Sequence, residues 1–151
     1  MIPSHPSERL PELMAAYAAA EYLVLSLRCT IRVDELCPEA DAWLEEAGLD
    51  TWVFITAWNP WSVVLPQEEN AARHHKLLAL VGHLPHLHGI GRDLSGAAPD
   101  EEGLLVGGLS LEEGVHLAQE LDQAAILVAR YREPVQLVAG ATPPILTDYS
   151  G

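Results

Sequence analysis

Hydrophobic and polar positions along this chain follow two periods, and the most distinctive stretch runs from Trp52 to Trp58. Thr56 is its one polar side chain among aromatic, β-branched and small apolar residues, a composition typical of a strand that is buried on both faces. Pro60 ends the strand because it has no N–H for the ladder. The pattern predicts a central strand over Trp52–Trp58 and a turn at Asn59-Pro60. The even separation of Trp52 and Trp58 places both in the core, whereas Trp61 is expected to be partly exposed.

Apolar residues recur at helical spacing in four other segments. The predicted helices lie at residues 8–20, 34–48, 66–83 and 110–121. Gly48 is the residue type expected just past the end of the second helix. Ser110 and Glu113 have the spacing of a capping box and mark the beginning of the fourth.

Further strands are predicted at residues 22–27, 86–92, 103–109, 124–131 and 135–138. From residue 52 to residue 131 the order is strand, helix, strand, strand, helix, strand, which is that of a split βαβ unit. The predicted fold class is therefore α+β: a mixed sheet with a split βαβ core and helices on one or both faces. Residues 1–139 are expected to form a single globular domain. Residues 140–151 contain two prolines and no apolar periodicity, which predicts a mobile C-terminal tail.

Charge and composition narrow the classes of function. The chain has 22 Asp and Glu against 8 Lys and Arg, a formal net charge of −14, which repels phosphate backbones and anionic membrane surfaces. The apolar segment Met14–Leu27 contains Glu21, is too short to span a bilayer, and follows no basic segment. Cys29 and Cys37 do not form a CxxC pair or a disulfide framework. We expect a cytoplasmic protein that binds neither nucleic acid nor membranes.

Polar residues collect where the central strand ends and the next helix begins: Asn59, Ser62, Asn70 and Arg73. The apolar stripe of that helix, extended backward, places Asn70 and Arg73 on its inner side, toward the turn. Amide, hydroxyl and guanidinium donors near a helix N-terminus can receive an anionic or carboxylate-bearing ligand. The alternative is a satisfied polar network that only holds the turn. The sequence leaves both open.

The histidines suggest a metal site at first sight. His83, His86 and His88 could approach one another, and three imidazoles can hold zinc. His74 and His83, however, lie on opposite sides of one helix, so the whole cluster cannot converge. We therefore predict no metal site and no cofactor, and the sequence leaves open whether His83, His86 and His88 bind a metal adventitiously.

Several motifs together resemble a known family. They are Ile55-Thr56-Ala57-Trp58-Asn59-Pro60 with Ser62, Glu69-Asn70 with Arg73, Glu102 before Leu104-Leu105-Val106, and Gln123 before Ala125-Ile126. This pattern resembles the bacterial family catalogued as domain of unknown function 3293, over about residues 17–137. The resemblance implies no activity, but it groups Glu102 and Gln123 with the Asn59 turn as ligand-binding candidates. In the family pattern a small hydroxylated residue follows the Glu, where this chain has Gly103.

Two functions from different classes follow. The first is a domain that binds, or acts on, a small anionic or carboxylate-bearing molecule at the Asn59 turn, which requires Asn70 and Arg73 to converge on a solvent-reachable cleft. The second is an acidic protein-interaction or regulatory module without catalysis, with a basic protein or a second copy of the chain as its partner. Ser62 lacks the G-x-S-x-G setting of a hydrolase nucleophile, so the sequence does not determine whether the protein is an enzyme.

Overall fold

Seven strands and four α-helices make up the part of the chain that the computed structural model describes, residues 6–140. The α-helices are α1 (Leu10–Ala19), α2 (Pro38–Ala47), α3 (Gln67–Val81) and α4 (Leu111–Glu120). The strands are β1 (Glu21–Val24), β2 (Cys29–Ile31), β3 (Thr51–Thr56), β4 (His86–Arg92), β5 (Glu101–Gly107), β6 (Ala125–Arg130) and β7 (Gln136–Ala139). Short 3-10 helices lie at Pro6–Arg9, Leu25–Leu27 and Pro60–Ser62.

All seven strands belong to one sheet, in the order β2-β1-β4-β5-β3-β6-β7. The strand β3 is interior, because Trp52 pairs with Gly107 of β5 on one side and with Ala129 of β6 on the other. The α+β class and the central position of this strand are therefore confirmed.

The predicted mixture of parallel and antiparallel pairs is not found: every neighbouring pair formed by residues 6–140 is antiparallel. The reason is topological. The connection through α3 makes β3 and β4 run in the same direction, but β5 lies between them, and β3 likewise lies between β5 and β6. Consequently the C-terminal end of β3 lies beside the N-terminal ends of β5 and β6.

Alternation along β3 gives the sheet two apolar faces. Trp52 and Phe54 pack in one core cluster with Leu44 of α2, while Val53 and Ile55 pack in another with residues of α3 and α4. Both faces of the sheet are thus covered by helices, and the apolar run from Trp52 to Ile55 in β3 follows from this two-sided burial.

Local signals in the sequence set several helix ends. Gly48 ends α2 in the left-handed conformation with φ of 71°. The capping box of α4 is present: Ser110 Oγ accepts from the Glu113 N–H at 3.1 Å, and Glu113 Oε1 accepts from the Ser110 N–H at 2.9 Å. The helix α3 has nearly the predicted bounds, and β4 has the predicted ones.

The predicted strand at residues 22–27 is corrected. It forms a hairpin instead, in which a 3-10 turn at Leu25–Leu27 and a left-handed Arg28 (φ 52°) reverse the chain between β1 and β2. The apolar run predicted a continuous buried strand, but Leu25 is largely exposed and belongs to the turn. The predicted tail, apart from Gly140, lies outside the described residues. No helix within residues 6–140 is long and apolar enough to cross a membrane.

Candidate functional site

The turn after β3 has an unusual backbone. Asn59, Trp61 and Ser62 have φ angles of 45°, 52° and 59°, in the left-handed region that few residues other than Gly adopt. Asn tolerates this region better than Trp or Ser does. Such a turn persists only where its surroundings over-determine it, so the contacts around it explain why it forms.

Two buried asparagine side chains hold the turn. The Asn59 backbone N–H donates to Asn70 Oδ1, and Asn70 Nδ2 donates to Asn59 Oδ1, each at 2.9 Å. Asn59 Oδ1 also accepts from the Leu65 N–H at 2.9 Å. Since both amides are almost inaccessible to solvent, these bonds satisfy groups that would be costly to bury alone.

Arg73 and Gln123 hold the chain just before the turn. Arg73 Nε donates to the Ala57 carbonyl at 2.6 Å, and its Nη2 donates to the Leu121 carbonyl. Gln123 Nε2 donates to the Trp58 carbonyl at 3.1 Å. Arg73 therefore binds main-chain carbonyls, and Asn70 binds the turn itself. These contacts are those of a satisfied polar network, the alternative to a ligand site that the sequence left open. Neither side chain lines the cleft that opens between α1, this turn and the beginnings of β5 and β6, so the two do not converge on it.

The two tryptophan predictions beyond Trp52 were wrong. The strand β3 ends at Thr56, so strand alternation does not extend to Trp58, which is only partly buried. Its indole N–H is buried and has no hydrogen-bond partner among residues 6–140. Trp61 is buried instead, because α1 folds over the turn and packs Leu13 against it.

A cleft opens between α1, the turn and the beginnings of β5 and β6. Its cavity volume is about 60 Å³, room for only a few water-sized groups, so any ligand has to be small. Its polar lining residues are Tyr17, Tyr22, Thr56, Asn59, Ser62, Glu101 and Gln123, and its apolar ones include Phe54, Ile126, Leu127 and Leu137. We call this space the Glu101 cleft.

Hydroxyl groups form one side of the Glu101 cleft. The Tyr17 hydroxyl and Ser62 Oγ are 2.7 Å apart, and the Tyr22 hydroxyl donates to the Tyr17 carbonyl at 2.8 Å. Arg9 Nη1 donates to the Trp61 carbonyl at 3.1 Å, which ties the beginning of α1 to the turn. Burial is the main cause that raises the pKa of both tyrosines, so both remain protonated at neutral pH.

The carboxylate of the cleft is Glu101. Asn59 Nδ2 donates to Glu101 Oε2 at 2.9 Å. Burial raises the pKa of Glu101 above its ordinary value, and the hydrogen bond from Asn59 offsets part of that rise. The same amide that shapes the turn therefore also positions the acid, which links the turn conformation to the chemistry of the cleft.

Glu102 is not brought to the turn, although the resemblance grouped it there. As the next residue in β5 it faces the α3 side, where Glu102 Oε2 is 2.8 Å from His88 Nε2 and 3.7 Å from His74 Nε2. Sequence reasoning thus missed Glu101 as the site residue. Two adjacent acids in a strand face opposite sides of the sheet, so one of them is expected on the side of Asn59. Which acid it is depends on the strand pairing, in which Thr56 lies opposite Gly103.

Glycines shape the aromatic wall. A Cβ on Gly89 would lie 2.4 Å from the Phe54 ring, and a Cβ on Gly103 would lie 2.8 Å from the Ile55 carbonyl oxygen and 3.0 Å from the same ring. These two glycines pair across β4 and β5, so the Phe54 ring lies directly over them. The Tyr22 ring packs against it edge-on, with centroids 5.4 Å apart. The lack of a side chain at Gly103 therefore leaves room for the Phe54 ring.

The histidines gather on the α3 face. The His74 and His88 ring centroids are 6.2 Å apart, and burial lowers the pKa of His74. The His86 ring nitrogen Nδ1 lies 2.8 Å from the Leu84 carbonyl oxygen. Within residues 6–140, no group of three or more His, Cys, Asp or Glu is arranged to hold a metal ion.

Comparison with known proteins finds one matching family model and no activity. No curated protein and no solved structure matches this chain. A family model described as protein of unknown function (DUF3293) matches residues 55–126, a span that contains the turn, α3, Glu101 and Gln123 but not Tyr17 or Tyr22. The resemblance predicted from the motifs is confirmed, and over residues 55–126 this chain matches the family described as protein of unknown function DUF3293.

Proposed function

We propose that this protein binds a small organic molecule in the Glu101 cleft, through a hydrogen-bond donor of the ligand that meets the Glu101 carboxylate. The observation that carries the proposal is the position of this carboxylate: it lines a partly enclosed, largely apolar cleft, and its hydrogen bond within the described chain comes from Asn59 alone. A few convergent polar groups in an apolar cleft are typical of a ligand site.

This proposal changes the ligand class that the sequence predicted. An anionic or carboxylate-bearing ligand needed Arg73 as its receptor, but Arg73 donates to the Ala57 and Leu121 carbonyls. The cleft instead presents the acid Glu101 and the hydroxyls of Tyr17 and Ser62. An acceptor-rich lining favours a donor-bearing ligand such as an amine or an alcohol.

A matched pair of variants tests the site. Ligands from a screen of small molecules, detected by NMR, are titrated against the wild type, Glu101→Gln and Glu102→Gln. The two variants carry the same chemical change at adjacent residues on opposite faces of β5. Loss of a hydrogen bond to a charged group is expected to weaken binding by about 10- to 100-fold in Glu101→Gln and to leave Glu102→Gln unchanged. Equal affinities in all three proteins, or a screen without any binder, would contradict the proposal.

An acidic interaction module is the second candidate, and the net charge of −14 favours it. A basic protein partner held mainly by this charge would bind less tightly as salt rises, because exposed charges are screened beyond about 8 Å at physiological ionic strength. Titration of such a partner at two salt concentrations distinguishes this function from ligand binding, whose contacts lie in a partly enclosed cleft.

We also propose that β3–α3–β4 and β5–α4–β6 form the split βαβ core predicted from the order of elements. The support is that each unit has a strand of the other between its own two strands. This plan accounts for the site, because it brings the end of β3 beside the beginnings of β5 and β6.

A further inference from the structure

We propose that the ligand of the Glu101 cleft is an organic cation, with an ammonium group at the Glu101 carboxylate and a short apolar body against the interior of the cleft. This inference rests on the proposed function and narrows it to one charge class. Three features carry it: the charge environment of Glu101, the aromatic residues that line the cleft, and the apolar residues that line it.

No ion pair within the described residues neutralises Glu101. The arginines around the cleft are engaged elsewhere: Arg9 with the Trp61 carbonyl, Arg73 with two carbonyls, and Arg92 with Asp100. A carboxylate withdrawn from water is normally paired with a positive charge, and here a ligand would supply that charge.

Aromatic side chains surround the acid. Tyr17, Tyr22 and Phe54 line the same cleft as Glu101, and the Tyr22 and Phe54 rings meet edge-on. The faces of aromatic rings attract cations within about 6 Å of the ring centre. A carboxylate combined with aromatic rings stabilises an ammonium ion and repels a phosphate or carboxylate.

The remaining polar atoms suit the same ligand. The Tyr17 and Ser62 hydroxyl oxygens, 2.7 Å apart, share one hydrogen bond and keep lone pairs that can accept from an ammonium N–H. Leu127 and Leu137 add apolar surface to the lining of the same cleft. The ligand class is therefore a primary amine with a small hydrocarbon body.

The experiment compares probes that share a carbon skeleton and differ in their polar group and its charge. Benzylammonium, benzyl alcohol and benzoate share one skeleton and carry charges of +1, 0 and −1, and a matched alkyl series (butylammonium, butanol and butyrate) controls for shape. Each is titrated against the wild type, Glu101→Gln, Glu101→Asp and Glu102→Gln, with binding followed by NMR shifts of residues that line the cleft. The fold of each variant is checked in the same spectra.

The expected result is that the ammonium ions bind at least 10-fold more tightly than their alcohols, and that the carboxylates do not bind. Glu101→Gln should lose the preference for the ammonium ions, Glu101→Asp should keep part of it, and Glu102→Gln should keep all of it. If a neutral or anionic probe binds in the cleft as well as its ammonium analogue does, the cation inference is overturned and ligand binding stands. If no probe of any charge binds, both proposals are overturned.

Discussion

At the scale of residues, Asn59 connects the fold to the cleft. Its main chain adopts the left-handed conformation at the end of β3, its amide oxygen accepts from Leu65 and Asn70, and its amide nitrogen donates to Glu101. All of these groups are used at once, so the turn and the acid are positioned by the same side chain. A buried polar network of this kind is stabilising only when each member is satisfied.

Arg73 is expected to act on stability. Arg73→Ala removes the donors to the Ala57 and Leu121 carbonyls. The Leu121 carbonyl keeps a hydrogen bond from Gln123 Nε2 at 3.3 Å, so the expected loss of about 1–3 kcal/mol of unfolding free energy comes from the Ala57 carbonyl. Chemical denaturation measures this loss, with Lys76→Ala, an exposed position of the same helix, as the control. An unchanged unfolding free energy together with lost ligand binding would instead support the anion site that the sequence suggested.

Glu101 is expected to lower stability at neutral pH. Its pKa is higher in the folded protein than in the unfolded chain, so the folded state holds the proton more tightly, and the unfolding free energy falls as pH rises through the interval between the two pKa values. Glu101→Gln should remove this slope and be at least as stable as the wild type at pH 7. Denaturation at several pH values from about 4 upward, where an unperturbed Glu titrates, checks this, with Glu102→Gln as the control. A slope retained in Glu101→Gln would contradict it.

At the scale of elements, β4 and β5 show how glycine positions an aromatic side chain. Gly89 and Gly103 face each other across the two strands, and the Phe54 ring from β3 lies over both. Glycine weakens a strand by itself, but here the lack of a side chain lets the ring lie against the sheet and form a wall of the cleft. The glycines that interrupt the strand pattern in the sequence therefore correspond to a packing requirement.

The variant Gly89→Ala tests this packing. Its new Cβ would meet the Phe54 ring at 2.4 Å, and overpacking of this kind costs about 1–3 kcal/mol. In the double variant with Phe54→Leu, the smaller side chain should relieve the clash, so that the combined loss is less than the sum of the two single losses. A double-mutant cycle by chemical denaturation measures this coupling, and strictly additive losses would show that the ring does not lie over Gly89.

For the whole molecule, the net charge of −14 affects both the stability of the fold and the charge of the ligands that can bind. Self-repulsion opposes the compact state in a strongly charged protein. It also disfavours anionic ligands in any cleft that is not locally basic, and it raises the local concentration of cations. The overall charge and the local charge of the Glu101 cleft thus have the same sign, which strengthens the case for a cationic ligand.

Salt is expected to stabilise the fold. Raising NaCl from about 0.02 to about 0.5 M shortens the range over which the carboxylates repel one another, so the thermal midpoint should rise. Substituting two exposed acids that do not line the cleft, Glu46→Gln and Glu120→Gln, should reduce this rise while leaving the contacts with the ligand unchanged. Thermal melts at the two salt concentrations provide the measurement, and a midpoint that falls with salt would contradict the expectation.

Features that depend on neighbouring residues could be predicted from the sequence. The interior strand β3, the helix α3, the capping box of α4 and the turn at Asn59-Pro60 follow from apolar periodicity, Pro and Gly positions and cap residues, all of which act within a few positions along the chain. The inward direction of Asn70 followed from helical spacing in the same way. The hairpin of β1 and β2 was missed because its turn contains Leu25 and Leu27 and no Gly, Pro, Asn or Asp.

The lining of the cleft depends on contacts between distant segments and could not be predicted from the sequence. Strand pairing placed Glu101 rather than Glu102 beside Asn59, and since side chains alternate with a period of two, a shift of one residue would have exchanged them. The packing of α1 places Tyr17 against Ser62, 45 positions away in the sequence. Arg73 donates to main-chain carbonyls instead of facing the cleft. These contacts join segments that are distant in sequence, so their geometry is fixed by how the sheet and helices pack rather than by any local pattern.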